Sequence, residues 1–244
     1  MTVRSNPFAG TWSALVDLVL PAECVGCARA AGQARGLCGD CAAALRAVRP
    51  QRVRPQPEPP GMPRCVALAA YAGALRGAVL AYKERGRHTL ARPLGERLAD
   101  VVVAALGAGP GPVLLVPVPA TAAAARERYG DHMLRLARSA ARDLTRRGWP
   151  AGVACPLRAR SRPDSAELSS ADRLRLAGDA FVPVPARLPV VRAAVAAGAR
   201  PVVVDDVVTT GATLAAVAAR LREAGIDVPV AAVLAATQRR VADR

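Results

Sequence analysis

The stretch Arg200–Leu214 reads RPVVVDDVVTTGATL. Val202, Val203 and Val204 form an apolar, β-branched run with the length of a strand buried on both faces. Asp205 and Asp206 stand at its carboxyl end, and Thr209-Thr210-Gly211-Ala212-Thr213 then turns directly into the helical pattern LAAVAARLREAG. A strand-to-helix turn presents unpaired backbone N–H groups and the positive end of a helix dipole, and both favour a phosphate. Gly211 permits close backbone approach, while Thr209, Thr210 and Thr213 add hydroxyl donors. The paired acids point to a second feature of the ligand. Ionised carboxylates only accept hydrogen bonds, so they suit adjacent sugar hydroxyls. Acids and turn together predict a site for a ribose 5-phosphate. A solvated strand end followed by an ordinary helix cap is the alternative for the same residues.

At 244 residues the chain has room for one sizeable α/β domain and a small accessory unit. It is 52% hydrophobic but only 3% aromatic, so its core must be built from Ala, Val and Leu. Lys83 is the sole lysine, and nearly all the positive charge is arginine. The net charge of +15 attracts polyanions, whether nucleic acid, nucleotide or pyrophosphate. Leu15–Leu20 is too short and too interrupted by Asp17 for a secretory signal. No window offers the ~18–20 apolar residues of a membrane span. The expectation is a cytoplasmic protein in which Ala14–Leu20 forms a short packing helix.

Cys24-Val-Gly-Cys27 and Cys38-Gly-Asp-Cys41 are two CxxC pairs separated by ten residues. Each pair aims two thiolates at one point, and the two together complete a tetrahedral four-cysteine zinc site. Four protein ligands leave no open coordination position, so the metal is expected to be structural. Two disulfides or idle thiols are the competing readings, and disulfides are disfavoured in a cytoplasmic protein. Cys65 and Cys155 stand apart and read as small hydrophobes.

The remaining chain divides in order. Residues 1–48 read as the helix and zinc module, 49–64 as a proline-rich linker stiffened towards polyproline II, and 65–244 as the main domain. Strands are expected at Cys65–Tyr71, Val113–Pro119, near Val153–Leu157 and at Val228–Ala235, with helices at Ala74–Lys83, Leu90–Leu106 and Met133–Arg147. Strands alternating with helices predict an α/β fold, a mostly parallel sheet flanked by helices with its site at the strands' carboxyl ends. Lys83, Arg85 and Arg87 form either an anion-facing cluster, with Lys83 a candidate for a pyrophosphate contact, or a solvated helix end. Arg126 and Arg128, in a basic loop after the strand VLLVPVP, are candidates for pyrophosphate contacts, and a surface salt-bridge patch with Glu127 and Asp131 fits them equally. His132 suits a structural hydrogen bond as well as a catalytic one. The polar stretch Arg158–Asp172 is the natural cover for an activated sugar, or a plain surface loop. Pro183–Ala199 reads as a bridge into the strand at Val202–Val204. There is no GxGxxG and no GxxxxGK[ST], which leaves a nucleoside triphosphatase without its phosphate loop.

Val204–Leu214 resembles the 5-phosphoribosyl-1-pyrophosphate (PRPP) signature of the type I phosphoribosyltransferases. The longer pattern is similar to the ComF family, phosphoribosyltransferase-fold proteins with an N-terminal four-cysteine zinc module that are associated with competence for DNA uptake. The likeness runs through Leu18–Pro21, the four cysteines, Tyr82–Gly86, Val116–Pro119, Arg126–Arg128, Ser161–Phe181 and Val204–Leu214. The chain departs from the family at Arg128–His132, where an RGFNQ-like run is common, and near Ser165 and Leu176, where glutamine and asparagine are common. The resemblance implies PRPP binding by Asp205, Asp206, Val207, Thr209, Thr210, Gly211, Ala212 and Thr213, with magnesium held mainly by pyrophosphate and ribose oxygens. It also implies partners in DNA uptake or recombination. Three functions stay open: a phosphoribosyltransferase whose acceptor is unspecified, a non-catalytic partner of single-stranded DNA or a helicase, and a PRPP-sensing regulator. No residue presents itself as a general base for an incoming nucleophile.

Overall fold

The computed structural model describes residues 23–30, 36–107, 109–128, 130–160 and 180–237. Among them the elements run α1 (Gly39–Ala47), β1 (Gln51–Val53), β2 (Arg64–Ala70), α2 (Gly73–Glu84), α3 (Ala91–Leu106), β3 (Val113–Pro117), α4 (Ala122–Glu127), α5 (His132–Arg146), β4 (Ala151–Val153), β5 (Leu157–Ala159), β6 (Phe181–Pro183), α6 (Leu188–Ala196), β7 (Arg200–Val208), α7 (Ala212–Glu223) and β8 (Val230–Ala236). Short 3-10 turns precede α3 and α6, at His88–Leu90 and Pro185–Arg187. The main sheet has the order β1-β2-β8-β7-β3-β4. Every neighbouring pair in it is parallel except β1 with β2. β5 and β6 form a separate antiparallel pair.

The valine run behaves as its composition demands. Val202, Val203 and Val204 are 0% exposed, with β3 on one side of their strand and β8 on the other. Because strand side chains alternate, the run feeds two cores. Val202 and Val204 join Leu68, Leu115 and Leu234 beneath α2, α3 and α5. Val203 joins Ala67, Val116 and Val233 beneath α6 and α7. Leucines, alanines and valines fill both layers, as the scarcity of aromatics requires. A side chain at Gly95 on α3 would collide with Ser139 and Ala140 on α5, so glycine there lets the two helices close.

Residues 49–64 do not act as a spacer. Gln51–Val53 is an edge strand in register with Cys65–Ala67. The sheet edge is where a short segment between prolines can pair on one side only. The rest of the stretch folds over the turn after β7, where a side chain at Gly211 would run into Met62 and Pro55. The expected strand near Val153–Leu157 is two strands, β4 and β5, with Pro156 between them. The bridge Pro183–Ala199 contains a helix, α6, whose Pro189 lies in the first turn, where no N–H is needed. The basic loop is partly helical as well: Arg126 belongs to α4, and Arg128 caps its end. The expected packing helix Ala14–Leu20 and most of the polar stretch Arg158–Asp172 lie outside the described residues, while Arg158 and Ala159 at its start belong to β5.

The cysteine segment shares the core. Cys24, Leu37, Cys38, Cys41 and Leu45 belong to the same buried cluster as Leu75 and Val79 of α2. At Gly77 of α2 an added side chain would meet the carbonyl of Val25, inside the first CxxC turn. No described helix is long and apolar enough to cross a membrane.

Candidate functional site

The four expected metal ligands converge. The sulfur atoms of Cys24, Cys27, Cys38 and Cys41 all lie within 4.8 Å of one another. Cys27 Sγ and Cys38 Sγ are 3.8 Å apart, which matches the edge of about 3.8 Å in a tetrahedron with Zn–S bonds of about 2.3 Å. Backbone amides surround the sulfurs. Cys38 N–H (3.2 Å) and Gly26 N–H (3.4 Å) donate to Cys24 Sγ, and Cys41 N–H donates to Cys38 Sγ at 3.4 Å. Burial works against a thiolate at Cys24, but these amides outweigh it and lower its pKa. The donor set fits zinc, and with four protein sulfurs the ion is structural. Gly26 is required here because a side chain would press on Cys41 Sγ at 2.9 Å. Cys65 is buried, and burial together with the charge of Asp205 pushes its thiol up to about 12.

A second site is a cavity of about 250 Å³ at the carboxyl ends of β3 and β7. Its chemistry comes from Lys83, Arg128, His132, Asp205, Asp206 and Thr213. Lys83 lies in the last turn of α2, and its ammonium is 2.8 Å from Asp206 Oδ2. His132 opens α5 and brings Nε2 to 3.2 Å from the same oxygen. Asp131 caps that helix, accepting the Leu134 N–H at 2.9 Å. The Tyr82 hydroxyl donates to the His132 carbonyl at 2.7 Å. Arg128 reaches Glu84 at 3.3 Å.

The adjacent acids have opposed electrostatics. Burial and the neighbouring Asp206 charge raise the pKa of Asp205, whose Oδ1 accepts the Asp206 N–H at 2.9 Å. Burial acts the same way on Asp206, but His132 and the Lys83 ammonium overcome it and hold Asp206 ionised below the usual carboxylate range. The cavity thus joins a fixed anion, a proton-retaining acid, two cationic side chains and the first turns of α5 and α7. It can accept hydroxyls at one end and hold an anion at the other.

Of the residues expected to bind PRPP, Asp205, Asp206, Val207 and Thr213 line this cavity. Thr209 and Thr210 are exposed on the turn, Gly211 is buried under Met62 and Pro55, and Ala212 is the first residue of α7. These four are not among the lining residues. Of the expected pyrophosphate contacts, Lys83 and Arg128 reach the cavity and Arg126 does not. Lys83 turns inward to Asp206, away from an outward cluster with Arg85 and Arg87. The pairing of His132 with Asp206 and the role of Tyr82 were not foreseen. The lone lysine in an arginine-rich chain was the one available signal for this cluster.

The described fold and sites define a mixed α/β protein with a mostly parallel sheet and an N-terminal zinc module. Residues 15–52 match the double zinc ribbon domain family. The matched segment contains four cysteines, enough for one tetrahedral site. No curated protein matches the chain.

Proposed function

We propose that this chain is a ComF-like protein of phosphoribosyltransferase fold that binds PRPP, or a related ribose phosphate, together with magnesium. The observation that carries this reading is the cavity in which Asp205 and Asp206 meet Lys83, Arg128 and the N-terminal turns of α5 and α7. Carboxylates suit the ribose hydroxyls, and cations with helix N-termini suit phosphate and pyrophosphate. Magnesium arrives on the pyrophosphate and keeps much of its coordination as water. In a transferase reaction the C1–pyrophosphate bond breaks towards an oxocarbenium-like state, and Lys83 and Arg128 neutralise the departing group. The family resemblance supports a role in competence-related DNA uptake.

Calorimetric titration of the zinc-loaded protein with PRPP, with and without magnesium, tests the reading. Magnesium-dependent binding that weakens in Asp205→Asn/Asp206→Asn, at unchanged zinc content, is expected. Equal affinity in that double variant removes the ribose assignment, and no binding to the parent removes the ligand.

A second reading, a partner of single-stranded DNA or a helicase, draws on the net charge of +15. The 3% aromatic content counts against base stacking, the usual means of holding single strands. Salt-sensitive DNA binding that survives Asp206→Ala favours this reading. PRPP-modulated partner binding without turnover favours a sensor.

A further inference from the structure

The two halves of the cysteine site are built differently. Cys38 caps α1 and Cys41 lies in its first turn, so the second CxxC pair is anchored by a helix. The first pair sits on a short turn. There the Ala28 N–H donates to the Cys24 carbonyl at 2.8 Å, and the Cys24 N–H donates to the Arg29 carbonyl at 3.0 Å. Ala28, directly after Cys27, has a φ of 60°, and among the described residues it is the one non-glycine residue in the left-handed region. A Cβ is disfavoured in that conformation, so the turn that presents Cys27 is strained while the sulfur is held in place. Access to solvent is unequal too. Cys24, Cys38 and Cys41 are 2%, 7% and 8% exposed, whereas Cys27 reaches solvent. Its nearest sulfur across the site, that of Cys38, is 3.8 Å away.

We propose that Cys27 is the labile zinc ligand and a site of reversible oxidation by hydrogen peroxide, with Cys38 as its resolving partner. The Cys27 thiolate attacks one peroxide oxygen, the O–O bond breaks, and the departing hydroxide takes a proton to become water. The Cys38 thiolate then attacks the sulfenic acid formed at Cys27. The S–O bond breaks, a second hydroxide leaves and takes a proton, and a disulfide joins the two CxxC pairs. Two electrons pass from the two sulfurs to one peroxide, and solvent supplies both protons. Only Cys24 and Cys41 are then left as ligands, too few to hold zinc, and the turn at Ala28 is free to relax. Val25 and Gly26 pack on Gly77 and Ala74 of α2, so opening this turn uncovers that face of the helix. The proposal does not depend on what the cavity binds.

Stoichiometric hydrogen peroxide added to the zinc-loaded chain tests this. A chromogenic chelator follows zinc release, peptide mapping follows the sulfurs, and amide hydrogen exchange follows α2. About one zinc per chain is expected to leave as a peptide linked through Cys27 and Cys38 appears, with faster exchange in the first half of α2. A dithiol reductant with added zinc is expected to restore the starting protein. Cys27→His keeps a fourth ligand without the oxidisable sulfur, and is expected to retain zinc and release it about tenfold more slowly under peroxide. Ala28→Gly preserves all four sulfurs and decides the matter even where histidine is not accommodated. Detachment of Cys27 no longer relieves strain in that variant, so release is expected to slow roughly fivefold. A first disulfide within one CxxC pair, first oxidation at Cys155 with zinc retained, or release from Cys27→His as fast as from the parent overturns the oxidation site. Unchanged release from Ala28→Gly overturns the labile turn.

Discussion

The hydroxyl of Tyr82 donates to the carbonyl of His132 at 2.7 Å, joining the last turn of α2 to the first turn of α5. The two helices whose Lys83 and His132 meet at Asp206 are thus linked a second time. Burial raises the phenol to about 12, so Tyr82 remains a neutral donor at ordinary pH. Tyr82→Phe removes one buried hydrogen bond at nearly constant shape. The expected loss is about 1 kcal/mol in urea denaturation. A variant as stable as its parent shows that the link carries no net weight.

Gly77→Ala reverses an ordinary rule. Alanine is favoured over glycine in a helix interior by about 1 kcal/mol. At this position the new methyl group meets the carbonyl of Val25, a backbone atom in the first CxxC turn. The variant is expected to melt lower than the parent and to release zinc faster to a chromogenic chelator. Higher stability with unchanged zinc release shows that the contact yields freely.

Elemental analysis of the reduced protein is expected to give about one zinc per chain, the capacity of one four-cysteine site. Cys24→Ser is expected to lower metal content and melting temperature together, because Cys24 is both a ligand and part of the core. A metal-free, reduced chain that melts like the zinc-loaded protein contradicts the structural role.

The two acids predict opposite dependences of stability on pH. The folded pKa of Asp205 is raised, so its favourable contribution is complete below the unfolded value of about 3.9 and is lost as pH rises through the raised value. The folded pKa of Asp206 is lowered, so its contribution is present above about 3.9 and is lost as pH falls through the lowered value. Asp205→Asn is therefore expected to flatten the decline of melting temperature from weakly acidic to weakly alkaline pH. Asp206→Asn is expected to abolish part of the loss in acid. Parallel melting-temperature profiles for the parent and Asp205→Asn contradict the raised pKa.

Local chemistry was legible in the sequence where one short segment contains the whole signal. Val202–Val204 is apolar enough to be buried on both faces, and the CxxC spacing brings its own sulfurs together. Elements that depend on distant partners were harder to read. Gln51–Val53 has no strand pattern of its own and becomes one by pairing with β2. Pro189 looks like a helix breaker but occupies a first turn, where proline is compatible. Lys83, His132 and Asp206 come from three separate elements, and no spacing rule announces that they meet on one oxygen. Arg126 and Arg128 read alike in sequence, yet only Arg128, at the end of α4, borders the cavity.

The contact between Gly77 and the first CxxC turn gives the metal a thermodynamic reach beyond its own loop. Zinc that binds the folded chain and not the unfolded one draws the population towards the folded form by mass action. Once the site is saturated, each tenfold rise in free zinc adds about 1.4 kcal/mol to that preference. Because the thiolates share their buried cluster with α2, the helix that carries Lys83 is part of what this linkage stabilises. The activity of free zinc thus becomes a variable of the same equilibrium that keeps the cavity assembled.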